Sequence, residues 1–148
     1  MSMEDTMRER RDRELERQAR HPSRLGSPFE MKVVGVSFTP GYPDNMHNLA
    51  AVQERAEASG EPLTVILVRN PDNDYDANAI EVHVPALGDR WGFIGHLTRP
   101  IAARMAPEID GGTKWDAEVV SVLIDPLHMD RPGISIKCAR APEQETPT

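Results

Sequence analysis

Between Leu63 and Val84 the chain reads as strand, polar turn, strand, and this segment limits the folds open to it. Leu63 to Arg69 is apolar on both faces, the pattern of a central strand. Asn70 to Asn78 is polar and rich in turn formers. Ala79 to Val84 alternates, with Ile80, Val82 and Val84 on one face and Glu81 and His83 on the other. The flanking segments extend the pattern. Lys32 to Phe38 alternates, which predicts a first strand with Val34, Val36 and Phe38 on one face, ended by Thr39 to Pro43. Asp44 or Asn45 is placed to cap a helix running to about Ser59, with Leu49, Val52 and Ala56 at helical spacing and Gly60 as its stop. Trp91 to Gly95 reads as a short strand whose glycines permit close backbone approach. Thr98 is placed to cap a second helix through about Ile109, with Ile101, Ala102 and Met105 facing the core, and Gly111-Gly112 breaks it. Lys114 to Ile124 and Gly133 to Cys138 pair as a hairpin.

Strands and helices do not alternate regularly, so a parallel α/β sheet does not fit. The predicted class is mainly β with two helices: six or so short strands in one small curled sheet or barrel, with helices at its ends. At 148 residues this is one domain's worth of chain.

The organisation expected is a charged arm over residues 1–28, a folded body over 29–140 and a disordered tail over 141–148. The arm carries Arg and acidic residues three or four apart but no apolar stripe to pack, so a frayed helix or a flexible, disordered arm is expected. No segment approaches the ~20 apolar residues of a membrane span, and no apolar stretch follows the N-terminal charges as in a secretory signal. A cytoplasmic protein is expected.

Seventeen Lys and Arg face twenty-four Asp and Glu, a formal charge of −7. A strongly basic protein that coats phosphates is therefore excluded, and any affinity for nucleic acid has to come from local geometry. The single cysteine, Cys138, excludes an intrachain disulfide framework and a cysteine-based zinc finger. Cys138 falls in an alternating strand and reads as core. Asp72, Asp74, Asp76 and Asn78 alternate like the start of a calcium loop, but Ala77 stands where that loop needs glycine and His83 where it needs a bidentate Glu. Asp and Asn side chains bonding nearby backbone amides explain the same residues. The five histidines, His21, His47, His83, His96 and His128, form no zinc-binding pair. No nucleophile elbow and no phosphate-binding loop is present. The expectation is a non-enzyme with no metal and no cofactor.

Three pieces in order carry a likeness to a known family: Val33-Val34-Gly35-Val36-Ser37-Phe38, then Leu67 through Val82 with Asn70-Pro71-Asp72-Asn73-Asp74-Tyr75-Asp76-Ala77-Asn78-Ala79-Ile80 at its centre, then Gly92-Phe93-Ile94-Gly95-His96-Leu97 with Ile101-Ala102. Over about residues 31–140 the chain resembles the HIRAN domain, found in the N-terminal regions of Swi/Snf-type helicase-like proteins and as stand-alone bacterial and phage proteins. The resemblance implies an OB-like β-barrel. It also implies recognition of single-stranded DNA, notably a free 3′ end, in replication or repair. Carried over by position, the DNA-binding candidates are Phe38, Tyr75, Asp76, His96 and Arg99. Ser37 stands where DNA-binding relatives carry a basic residue, and Thr39 where they carry a second aromatic.

Each candidate has a second reading from the residues alone. Phe38 either stacks on a base or packs with Val34 and Val36. Tyr75 either stacks or covers the turn. Asp76 and Asn78 either bind or cap, and His96 either meets ligand or bonds at a turn. The alternative function is a protein-interaction or regulatory module on the same fold, without useful DNA affinity.

Overall fold

The structure, a computed structural model, describes residues 25–125, 127 and 132–142. Among these residues six strands form one antiparallel sheet: β1 (Phe29–Lys32), β2 (Thr64–Arg69), β3 (Ile80–His83), β4 (Phe93–His96), β5 (Trp115–Leu123) and β6 (Gly133–Arg140). Their order across the sheet is β1-β6-β5-β2-β3-β4. Two helices of the described residues accompany them, α1 (Asp44–Ser59) and α2 (Arg99–Asp110), together with a single helical turn at Gly88–Trp91. The mainly-β class with six strands and two helices is thus the observed one. Of the expected arm, residues 1–24 lie outside the described residues, and so do residues 143–148 of the expected tail. Leu25 is already buried in the core, and Ser27 Oγ accepts a hydrogen bond from the Arg140 amide at 2.9 Å.

The sheet curls because its register slips at two places, between Val82 and His83 in the β3–β4 pairing and between Val119 and Ser121 in the β5–β6 pairing. Such irregularities bend the strand that carries them and increase its twist. The curl brings the two edges together. Two residues beyond β1, Val34 and His96 of β4 exchange both backbone hydrogen bonds at 2.9 Å. The sheet is a half-barrel drawn together at that point. Its concave side holds the core, including Leu49, Ile80, Val82, Ile94, Met105, Ile134 and Ile136.

The first strand departs from the sequence expectation. It starts at Phe29 and ends at Lys32, and Val36–Phe38 forms one 3-10 turn. Gly35 is the cause: it adopts a left-handed conformation, φ 71°, which ends extended pairing although the residues around it still alternate. Val36 then turns into the core, while Phe38 stands 90% exposed. The core reading of Phe38 is therefore wrong.

Helix α1 has the expected extent, and Gly60 closes it in a left-handed conformation. Neither Asp44 nor Asn45 is its cap. The cap position is Pro43, and Asn45 lies in the first turn, fully buried. Strand β4 begins two residues later than expected, because Trp91 belongs to the preceding helical turn. Strand β2 is central in the pairing order, as expected, but Ile66 and Val68 on its outer side are exposed.

Gly95 sits at φ 147°, where a Cβ would lie 2.6 Å from both the Val34 carbonyl oxygen and Val33 Cγ1. The carbonyl cannot give way without breaking the bond that joins the edges. Gly95→Ala is expected to destabilise the domain by roughly 2–4 kcal/mol, read as a shift in the urea unfolding midpoint. Cys138 is fully buried on β6, and burial pushes its thiol up to about 12. It should remain unlabelled by a thiol reagent in the folded protein at neutral pH and react on unfolding. A raised folded-state value means its stabilising contribution is complete below the ordinary value of 9.0 and is lost as pH rises toward about 12. Replacing Cys138 with Ala should flatten that alkaline loss of stability.

Candidate nucleic-acid interface

The polar turn between β2 and β3 is built by two side chains bonding its own backbone. Asn73 Oδ1 accepts from the Tyr75 amide at 2.9 Å and the Asp76 amide at 3.1 Å. Asp76 Oδ1 accepts from the Asn78 amide at 2.9 Å. These are Asx-type turns, stable because the side chain supplies the acceptor the backbone lacks. Arg69, the last residue of β2, clamps the far side of the turn. Its Nη1 donates to the Ala77 and Ala79 carbonyls at 3.1 and 3.0 Å. Its Nε and Nη2 form a two-pronged pair with the Asp110 carboxylate at the end of α2, at 3.0 and 3.2 Å. The hydrogen bond from Arg69 holds the Asp110 carboxyl below the usual carboxylate range. The turn is thereby tied to the body of the domain at both of its ends.

Beside this turn, against the point where the sheet edges meet, lies a hollow of about 210 Å³. Val34, Asn73, Tyr75, Asp76, Ala79, His96, Leu97 and Arg99 line it. Four of the five candidates taken from the sequence, Tyr75, Asp76, His96 and Arg99, therefore share one concave site although they span 25 positions of the chain. Phe38 is not among the lining residues. The sequence reading missed Val34, Asn73, Ala79 and Leu97. Asn73 carried a signal, because an Asn two residues before a Tyr-Asp pair is placed to make an Asx turn.

The chemistry of the lining is mixed. Tyr75 is 84% exposed, so most of its ring is open to solvent at the rim. Asp76 is half-buried, and its second oxygen has no hydrogen-bond partner among the described residues. Arg99 is exposed and donates from Nη2 to the Tyr75 carbonyl at 3.2 Å, bridging the turn and the start of α2. His96 lies edge-on to Phe93 with ring centroids 5.2 Å apart, and its Nε2 is buried without a partner among the described residues. An exposed aromatic, an acceptor and a cation around one small hollow suit a ligand with a flat ring, a donor and an anionic group. No group of three or more His, Cys, Asp or Glu that could hold a metal occurs among the described residues. No helix among them is long and apolar enough to cross a membrane.

Comparison with solved structures gives two similar folds. The crystal structure of the HIRAN domain of human HLTF matches at TM-score 0.50 and 21% identity, over 77% of this chain and 74% of that one. A crystal structure of a protein from Lactobacillus plantarum matches at TM-score 0.54 and 20% identity, over 77% of this chain and 93% of that one. At these identities the likeness concerns the fold, which is OB-like. A comparison with curated proteins gives no match. The HIRAN domain family model matches residues 28–126, two thirds of the chain, including β1 to β5, both helices and every residue that lines the hollow. The chain belongs to the HIRAN domain family, a family known for DNA binding.

Proposed function

We propose that this domain is a non-catalytic module that binds single-stranded DNA and receives a free 3′ end in the hollow. The observation that carries this reading is the convergence of Tyr75, Asp76, His96 and Arg99 on one concave site. At about 210 Å³ the hollow is smaller than the ~300 Å³ at which small-molecule pockets usually begin, which suits the end of a chain whose remainder stays outside. The Tyr75 ring stacks on a base, an interaction worth roughly 1–3 kcal/mol. The Asp76 carboxylate accepts a hydrogen bond from a terminal hydroxyl and repels a terminal phosphate. Arg99 pairs with a backbone phosphate. Phe38, exposed on its 3-10 turn, stacks a further base outside the hollow. An acidic carboxylate in a DNA site is then a device for reading the end, and the overall charge of −7 keeps non-specific binding weak.

A protein-interaction role is the second reading. It rests on Ile66 and Val68, apolar residues exposed on the outer side of central strand β2.

Fluorescence anisotropy separates the two. The probes are a short single strand with a 3′-OH, the same strand with a 3′-phosphate, and a blunt duplex, each at low and physiological salt. The single strand with the free hydroxyl is expected to bind best, and Asp76→Ala to erase the preference over the phosphate. Tyr75→Ala and Phe38→Ala should each weaken binding by roughly 5- to 100-fold, the range that loss of one stacked base allows. Absence of binding at low salt would overturn the DNA reading and favour a protein partner.

A further inference from the structure

Phe38 does not line the hollow, yet the reading above has one DNA strand touch both. Something has to fix their relative position. We infer that Asn45 is the positioning residue that does so, an inference that rests on the proposed DNA reading only for its consequence on binding. Asn45 is fully buried in the first turn of α1. Its Nδ2 donates to Thr39 Oγ1 at 2.9 Å and to the Phe93 carbonyl at 3.3 Å. The Thr39 hydroxyl in turn donates to the Val36 carbonyl at 2.8 Å. One amide group therefore joins three pieces: the helix, the 3-10 turn that displays Phe38, and the start of β4, whose other end is His96.

The consequence for Phe38 follows from its neighbours. Val36 and Thr39 on either side of the turn are buried, and the Phe38 and Thr39 amides are bonded back to the Gly35 and Val36 carbonyls at 3.1 and 3.2 Å. With both flanks held inward, the Phe38 ring points out to solvent. Thr39, which stands where the resemblance implies a second aromatic, is buried in this fold. It is the acceptor through which α1 grips the turn. Asn45 Oδ1 is buried with no partner among the described residues, an unfavourable arrangement for stability alone. A leucine of similar size would remove that orphan acceptor. An asparagine is therefore a better choice for holding the turn than for filling the core.

The test uses the full chain with Asn45→Leu and, in case that variant does not fold, Thr39→Val, which keeps the shape and removes the acceptor. The first readout is amide hydrogen exchange. The Phe38 and Thr39 amides should exchange at least about tenfold faster in either variant, with Ile136 on β6 unchanged. Unchanged exchange at Phe38 and Thr39 would overturn the inference. The second readout is affinity for a single strand long enough to span the hollow and Phe38, against a mononucleotide with a free 3′-OH, the part of the strand the hollow is sized to receive. Asn45→Leu should weaken the longer strand about tenfold, leave the mononucleotide unchanged, and add nothing in a Phe38→Ala background. An equal loss for both lengths, or full additivity with Phe38→Ala, would overturn the positioning role. If wild-type protein binds neither probe, the DNA reading fails, and the exchange result still decides whether Asn45 holds the turn.

Discussion

Two hydrogen bonds between Val34 and His96 determine what the rest of the molecule is able to do. They contribute only about 1 kcal/mol each, so they are not the source of stability, which comes from burial of the apolar core. Their effect is geometric. They draw the last strand of a curled sheet against the residues that follow the first, and the hollow forms beside that junction, with Val34 and His96 among its lining residues. The junction needs a glycine at position 95, because any side chain there would collide with the Val34 carbonyl. A requirement of backbone packing thus fixes where a binding site can lie.

The second half of the hollow comes from the polar turn. A nine-residue turn rich in Asp and Asn, Asn70 to Asn78, could sample many shapes. Here Asn73 and Asp76 bond its backbone from within, and Arg69 anchors it to α2 from outside. The result is an exposed tyrosine and a carboxylate presented by ordered backbone. This matters for an acidic molecule. Its net charge repels phosphate, but between exposed groups that repulsion is screened over roughly 8 Å at physiological salt. In the proposed DNA reading, contacts at short range, from Tyr75, Arg99 and Phe38, therefore decide the outcome.

Much of this was legible in the sequence where the period was clear. Strand β3 follows from the alternation of Ile80, Val82 and Val84, and helix α1 from Leu49, Val52 and Ala56 with Gly60 as its stop. The first strand was misread because Val34, Val36 and Phe38 alternate through Gly35, and a left-handed glycine leaves no trace in a hydrophobic pattern. Asn45 was misread as a cap for a related reason. Asparagine is favoured at helix starts, and only the tertiary contact with Thr39 and Phe93 shows it turned inward. Tyr75 and Asp76 could be named from the turn motif together with the family resemblance. Val34 and Leu97 could not, because they reach the hollow through sheet curvature, which is a property of pairing between distant strands.

A backbone NMR titration of the labelled protein with a short single strand ending in a 3′-OH tests the proposed site head-on. The largest shifts are expected on Val34, Asn73, Tyr75, Asp76, His96 and Arg99, with a second group at Phe38 and its turn. Shifts confined to the outer side of β2 around Ile66 and Val68, or no shifts at all, would contradict that site.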